Sequence, residues 1–171
     1  GKAMDMLAEG RLPLRVTHND TKLNNVLFDD KTNKGICLID LDTVMPGTIL
    51  FDTGDMIRTA TITAAEDAPD ATQVHCSISR FQALLEGYAE AATFLTEAEA
   101  SLLAESGRAI TQIMAVRFLT DYLDGDRYYA TSRPRQNLDR ARTQLAFMRS
   151  MDAQREDIPH ISSLAQRRSS V

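Results

Sequence analysis

The spacing of apolar residues changes near Phe51 and divides the chain into two kinds of predicted structure. Before Phe51 the apolar runs are short, at residues 14–17, 25–28 and 36–39, and runs of this length between polar turns are typical of β-strands. After Phe51 the apolar residues recur every three to four positions, which indicates amphipathic helices. We therefore expect an α+β fold in which a small β-hairpin precedes a mainly helical remainder.

Residues that end or cap helices predict where the helical segments lie. Gly10 is placed to end a first helix, and Thr96 with Glu99 has the spacing of a capping box that opens a long helix. The sequence Met-Pro-Gly at 45–47 predicts a break in the chain. The predicted helices cover residues 2–9, 74–88, 96–123 and 136–154. In the last of these, the residues predicted to face the core are Leu138, Ala141, Leu145 and Met148.

Charge and hydropathy exclude several classes of protein. The net charge is −5 and no basic stripe is present to neutralise phosphates, so we expect no nucleic-acid partner. No apolar run approaches the roughly 18 residues that a membrane-spanning helix needs, so we expect no membrane partner. Two cysteines make neither a disulfide framework nor a zinc site. We therefore expect a reduced, cytoplasmic protein.

A polar segment after the first predicted strand has the form H-x-D-x-K-x-x-N, from His18 to Asn25. Phosphoryl transfer requires these residue types close together. A carboxylate, here Asp20, meets the acceptor hydroxyl, and an amide, here Asn25, can hold a metal ion. An isolated H-x-D pair is a weak signal because it also occurs in capped turns, but the amide five residues after Asp20 strengthens it. The segment therefore predicts a catalytic loop.

A second carboxylate is expected beside this loop. Asp40 ends the last short apolar run, in the sequence Ile-Asp-Leu-Asp, fifteen residues after Asn25. A hairpin over residues 25–39 would bring the two side chains together. Mg²⁺ is a hard cation that usually takes one or two protein carboxylates together with phosphate oxygens. Asn25 and Asp40 are therefore the candidate Mg²⁺ ligands.

Together these residues resemble the aminoglycoside phosphotransferase and choline kinase branch of the protein-kinase-like fold, which pairs an H-x-D-x-x-x-x-N loop with a strand end like Ile-Asp-Leu-Asp. The resemblance implies the C-terminal lobe of a kinase, with ATP as co-substrate and Mg²⁺ as cofactor. It implies that Asp20 is the catalytic base and that Asn25 and Asp40 bind Mg²⁺. Lys22 would neutralise the transferred γ-phosphate, and His18 would brace the loop.

Within that branch the sequence is most similar to the N-acetylhexosamine 1-kinases. The similarity covers about residues 12–148 and includes FLTDYL at 118–123 and QNLDRARTQ at 136–144. Such kinases transfer the γ-phosphate of ATP to the anomeric hydroxyl of GlcNAc or GalNAc, so the resemblance implies a small-molecule sugar acceptor. It places Asp42 and Arg117 on the acceptor side, where a guanidinium can fork onto ring hydroxyls or an acetamide oxygen.

Kinases of this branch also have an N-terminal lobe with a phosphate-covering loop and a strand lysine. Only fourteen residues precede Arg15, too few for such a lobe. We therefore expect residues 1–157 to form the C-terminal lobe, with the missing N-terminal lobe of the same polypeptide as its partner, and residues 158–171 to form a flexible tail. Without that lobe, the 171 residues are expected to be close to inactive.

Five further carboxylates are assigned structural roles. Asp52 and Asp55 are expected to support the catalytic loop by holding its backbone amides, and Asp52 has the alternative role of a helix N-cap. Asp121, Asp124 and Asp126 are expected to form a solvated helix end.

Other functions remain open. The same scaffold can phosphorylate choline, ethanolamine, homoserine, an aminoglycoside or a matrix sugar. A choline site requires aromatic faces, and the chain has no Trp and only four Tyr. A non-catalytic binding module is a further alternative, opposed by the intact motif. Cys76 and Arg80 have the spacing of a sulfatase sequence, but its proline is replaced by Ile78, and the two residues are predicted to share one face of a helix.

Overall fold

A computed structural model of the chain describes residues 2–158, with side chains from residue 5 onward. The fold is α+β, as predicted. The strands are β1 (Arg15–Thr17), β2 (Val26–Phe28), β3 (Gly35–Leu38) and β4 (Met45–Gly47). The helices are α1 (Lys2–Ala8), α2 (Ile49–Ala60), α3 (Ile78–Ala91), α4 (Glu97–Ala100), α5 (Leu103–Leu123) and α6 (Gln136–Ala153). The tail predicted at 158–171 lies, apart from Ile158, outside the described residues.

The short apolar runs form two antiparallel ribbons. β2 and β3 make the predicted hairpin, with Val26 opposite Leu38. β1 pairs with β4, so the predicted break at 45–47 is wrong, because Pro46 lies in a strand opposite Val16. Proline is tolerated there since both strands of a two-stranded ribbon are edge strands, where its missing N–H can face away from the partner. The β1–β4 pairing returns the chain to the start of the catalytic loop just before α2 begins.

Helices α2, α5 and α6 form the centre of the helical part, with α5 packed against both of the others. α2 and α5 meet at two glycines. A Cβ atom on Gly54 would lie 2.4 Å from Cγ1 of Ile110, and one on Gly107 would lie 2.3 Å from Cγ2 of Ile57. Because interiors are close-packed, neither position has room for a side chain. The glycine contact therefore fixes α2, which follows the ribbons, against α5.

We expect Gly54→Ala to lower the free energy of unfolding by about 1–3 kcal/mol, because overpacking forces neighbours to shift. The added methyl would also lie 2.7 Å from the carbonyl oxygen of Ser106. Gly87→Ala in α3 is the matched control, since a Cβ there meets nothing within 4 Å, and alanine should stabilise that helix by about 0.5–1 kcal/mol. Urea denaturation of both variants measures the difference. Equal urea midpoints for the two variants would show that α2 and α5 move apart at little cost in free energy.

The amphipathic helix predicted over 74–88 begins later than expected. Ser77 caps α3 by accepting a hydrogen bond from the backbone N–H of Arg80. Val74 and Cys76 precede the helix and are buried in the core, so the prediction that Cys76 and Arg80 share a helix face is wrong. Burial raises the pKa of the Cys76 thiol, which leaves it a poor nucleophile.

The capping box of Thr96 and Glu99 is confirmed, but it opens the short helix α4 rather than the long helix α5. The turn between α4 and α5 lets Leu102 and Leu103 both reach the core, whereas adjacent residues of a continuous helix point about 100° apart. Glu99 also binds the guanidinium of Arg15 through both of its oxygens, at 2.7 and 2.9 Å. The box thereby connects α4 to the strand that leads into the catalytic loop.

The prediction of an apolar core face on α6 is confirmed only in part, because Ala141 is buried but polar residues are buried beside it. Leu145 is 36% exposed, whereas Asn137, Thr143 and Gln144 are almost fully buried. The amide of Asn137, for example, donates to the carboxylate of Asp121 at 2.8 Å. Buried polar groups require partners of this kind, and such partners are invisible in a pattern of apolar residues. The core side of α6 is therefore set by hydrogen bonding as well as by apolar contact.

The longest described helix, α5, has 21 residues and carries charged side chains along its length. Within residues 2–158, no helix combines the length and the hydropathy that crossing a membrane requires.

Candidate active site

The predicted catalytic loop, residues 18–25, begins where β1 ends and is held by the first turns of α2. Asp52 accepts hydrogen bonds from the backbone N–H groups of His18, at 3.0 Å, and Asn19, at 2.7 Å. Asn19 has a left-handed backbone with φ of 64°, a conformation that asparagine adopts more readily than most residues. The N-cap of α2 is Thr48, so the alternative role of Asp52 as an N-cap is wrong. Its carboxylate contacts the loop amides instead.

Replacing Asp52 with alanine is expected to lower the free energy of unfolding by about 1.5–3 kcal/mol, because two part-buried amides lose a charged acceptor. Asp42→Ala is the matched control. Asp42 is exposed, and loss of an exposed carboxylate usually changes stability by less than about 0.5 kcal/mol. Thermal denaturation of the two variants measures the effect. Equal melting temperatures for the two variants would mean that water accepts the hydrogen bonds of the loop amides as well as Asp52 does, with no loss of stability.

Four side chains meet between the loop and the end of β3. Oδ2 of Asp20 accepts hydrogen bonds from Nζ of Lys22 at 2.7 Å and from Nδ2 of Asn25 at 2.9 Å. Oδ2 of Asp40 lies 3.8 Å from Nζ of Lys22 and 3.5 Å from Nδ2 of Asn25. We refer to these four residues as the carboxylate cluster. It unites the predicted base, the predicted phosphate lysine and both predicted metal ligands.

Hydrogen bonds tie the end of β3 to both ends of the loop. The backbone N–H of Ile39 donates to the carbonyl oxygen of Asn25 at 3.0 Å, and Nε2 of His18 lies 3.0 Å from the carbonyl oxygen of Ile39. The hydroxyl of Thr43 donates to the carbonyl oxygen of His18 at 2.6 Å. Asp40 itself has a left-handed backbone with φ of 65°. His18 therefore lies where it can brace the loop, beside the cluster.

The charges of the cluster are mutually stabilised. Burial on its own would raise the pKa of Asp20, but hydrogen bonds from Lys22 and Asn25 outweigh it, and the pKa lies below its usual value. The hydrogen bond to Asp20 raises the pKa of Lys22. Asp20 is consequently ionised at neutral pH. An ionised carboxylate can accept a hydrogen bond, and then a proton, from an alcohol.

The donor set suits Mg²⁺. The side chain of Asp40 is 49% exposed, so an ion can reach it, and a half-turn of the Asn25 amide would present Oδ1 in place of Nδ2. Among residues 2–158, no group of three or more His, Cys, Asp or Glu side chains is placed to hold a metal. Two oxygen ligands from the protein are what Mg²⁺ commonly takes, since water and phosphate complete its shell.

Asp55 does not hold the loop amides, contrary to the prediction. It lies about 4.5 Å further along the axis of α2 than Asp52, beyond those amides. Oδ1 of Asp55 accepts a hydrogen bond from Nε of Arg58 at 2.8 Å, and Nη1 of Arg58 donates to Glu66 at 2.6 Å. Burial raises the pKa of Asp55 in spite of the charge of Arg58. The buried Asp55–Arg58 pair thus supports α2 rather than the loop.

The two residues predicted on the acceptor side lie outside the carboxylate cluster. Asp42 is exposed in the turn after β3. Arg117, in α5, places its guanidinium 5.5 Å from the ring centres of both Tyr128 and Tyr129. Within the described part of the chain, no hydrogen bond or ion pair joins Arg117 to the catalytic loop. Arg117 and the two tyrosines together form a surface that we call the arginine–tyrosine wall.

A buried carboxylate holds this wall in place. Asp121 is 6% exposed and accepts hydrogen bonds from the backbone N–H groups of Arg127, Tyr128 and Tyr129 at 2.8–3.0 Å. The prediction of a solvated helix end is therefore wrong for Asp121, whose partners follow the turn at Gly125. The tyrosines and Asp121 were not predicted as a unit. One indication was present in the sequence, because Asp121 lies in the last turn of a predicted helix and Gly125, a residue typical of turns, follows the end of that helix.

A comparison with protein families identifies the family to which the chain is similar. A family model described as the phosphotransferase enzyme family matches residues 2–96, more than half of the chain. The matched segment extends from α1 to the residue that caps α4, and it contains the whole carboxylate cluster together with Asp52. The arginine–tyrosine wall lies beyond it.

Proposed function

The chain belongs to the phosphotransferase enzyme family, and from that premise we propose that it is the catalytic lobe of a cytoplasmic small-molecule kinase. The observation that carries the proposal is the carboxylate cluster, in which Nζ of Lys22 and Nδ2 of Asn25 each lie within 3.8 Å of a carboxylate oxygen of both Asp20 and Asp40. A structural ion pair would need neither the amide nor the second carboxylate. Phosphoryl transfer uses all four.

The mechanism assigns one role to each residue. The acceptor hydroxyl donates a hydrogen bond to Asp20, its oxygen bonds to the γ-phosphorus of ATP, and the bond from that phosphorus to the β–γ bridging oxygen breaks. Asp20 receives the hydroxyl proton, and ADP leaves with the bridging oxygen. Lys22 stabilises charge on the transferred phosphoryl group. Mg²⁺, held by Asn25 and Asp40, would neutralise phosphate charge.

The acceptor that we propose is N-acetylhexosamine, phosphorylated at its anomeric hydroxyl. The arginine–tyrosine wall supports a sugar, because a guanidinium offers several hydrogen-bond donors to ring hydroxyls and an acetamide oxygen. The exposed carboxylate of Asp42 would accept a hydrogen bond from a further hydroxyl. The wall disfavours choline, since Arg117 already lies over both tyrosine rings and a second cation there would be repelled. A different alcohol acceptor on the same scaffold is the alternative.

We also propose that an N-terminal lobe of the same polypeptide covers the ribbons and supplies the remaining contacts to ATP. Large apolar side chains of the ribbons and their turns face outward here, with exposures between 53% and 80%. They are Leu14, Val16, Ile36, Leu38 and Leu41. Exposed apolar side chains on both ribbons support an interface there.

The test is phosphorylation of an acceptor panel by a polypeptide that contains this chain together with such a lobe. With MgATP, we expect ³¹P NMR to show a sugar 1-phosphate from GlcNAc or GalNAc and no product from choline, ethanolamine or homoserine. Product from one of the latter would replace the sugar assignment and keep the kinase. Absence of ADP formation with every acceptor would contradict the kinase itself and favour a binding module.

A further inference from the structure

A protein cation already lies between the two carboxylates to which base and metal-ligand roles are assigned. Nζ of Lys22 is 2.7 Å from Oδ2 of Asp20 and 3.8 Å from Oδ2 of Asp40. In the described part of the chain, no other lysine or arginine forms an ion pair with either carboxylate. The third nearby acid, Asp55, has its own buried partner in Arg58. Lys22 is therefore the counter-ion of the cluster.

We infer that Lys22 blocks the divalent-cation site until a phosphate group draws it away. The inference rests on the proposed function for the assignment of Asp40 as a metal ligand. An ammonium ion and Mg²⁺ cannot share the same carboxylate oxygens without strong repulsion. Lys22 and the two carboxylates together carry a net charge of −1, whereas the two carboxylates alone carry −2. A free divalent ion is therefore bound weakly while the lysine remains.

A phosphate group removes this obstacle because it gives the ammonium another anionic partner. The side chain of Lys22 is 37% exposed, and its four-carbon stem can rotate without disturbing the loop backbone, which Asp52 holds. As Lys22 moves to the phosphate, Asp40 becomes free for the metal that the same phosphate carries. Lys22 would thus couple metal binding to nucleotide binding, in addition to stabilising the transferred group.

The test measures metal binding by the 171-residue chain without nucleotide, so it does not depend on kinase activity. The probe is Mn²⁺, followed by the loss of its free-ion electron paramagnetic resonance signal. We expect Lys22→Met to lower the Kd for Mn²⁺ about tenfold or more, because a unit charge a few ångströms away is removed. Lys34→Met, an equal charge change in the exposed turn between β2 and β3, is the control and should leave the Kd unchanged.

A second variant tests whether the tighter Mn²⁺ binding of Lys22→Met arises at this site. Asp40→Asn in the Lys22→Met background should abolish the tightened binding, and circular dichroism checks that each variant is folded. If Lys22→Met binds Mn²⁺ no more tightly than the parent chain, or neither binds it, the blocking role of Lys22 is wrong. The proposed metal site is judged separately, because it stands if Asp40→Asn weakens Mn²⁺ binding by the parent chain.

Discussion

Replacing Asp20 with asparagine is expected to lower kcat for sugar phosphorylation by about 10²- to 10⁴-fold, the usual contribution of a general base. The substitution keeps the size of the side chain but removes the group that receives the hydroxyl proton. The affinity for the sugar should be unchanged, because contacts to the acceptor beyond its reacting hydroxyl are retained. Steady-state kinetics with MgATP and GlcNAc, on the polypeptide that also contains the N-terminal lobe, separate kcat from KM.

Asp30→Asn provides the matched control for this measurement. Asp30 is an exposed residue in the turn between β2 and β3, and the chemical change is identical, so kcat should stay within about twofold because surface substitutions are usually neutral. If Asp20→Asn retains activity to within about tenfold of the parent enzyme, general-base catalysis by this carboxylate is excluded. A rise in KM with unchanged kcat would instead make Asp20 a binding residue.

Arg58→Met is expected to lower the free energy of unfolding by about 3–5 kcal/mol, because it leaves a buried carboxylate without its counter-ion. Arg58 is 5% exposed, and its guanidinium binds both Asp55 and Glu66. Methionine keeps much of the apolar stem, so the loss reports on charge more than on packing. Chemical denaturation measures the change.

The exposed pair between Arg108 and Asp152 provides the comparison for Arg58→Met. Nε of Arg108 lies 2.6 Å from Oδ1 of Asp152, and both side chains are more than 40% exposed. Arg108→Met should therefore cost no more than about 1 kcal/mol, since water screens such pairs. If the two variants lose equal stability, water reaches Asp55 and its burial is only apparent. The double variant Asp55→Asn, Arg58→Met should recover part of the loss.

Local sequence was sufficient to predict the carboxylate cluster. Asp20, Lys22 and Asn25 belong to one short loop, and a single hairpin is enough to bring Asp40 to them. The predicted ribbon from β2 to β3 supplies that hairpin. Long-range order was not needed, because each contact within the cluster follows from the separation of two residues in the loop or from this one hairpin.

Apart from the contact of Asp52 with the loop amides, the features that depend on distant partners were not predicted. Pro46 lies in a strand only because β1, thirty residues earlier, is available to pair with it. The polar buried face of α6 depends on carboxylates and carbonyls that other elements present to it. Asp121 is buried because three backbone N–H groups turn back to meet it. Apolar periodicity contains none of this information, since it records which side chains avoid water and not which polar groups meet.

The close approach of α2 and α5 at Gly54 and Gly107 has a consequence for the size of the acceptor. α2 carries Asp52, which holds the catalytic loop, and α5 carries Arg117. On the proposed assignment of Arg117 to the acceptor side, the packing of the two helices would set the distance between the reacting hydroxyl and the other end of the acceptor. A relative slide of one residue along the helix axis would change that length by about 1.5 Å, roughly one bond. A change in this spacing would therefore favour a longer or shorter alcohol without any substitution in the carboxylate cluster.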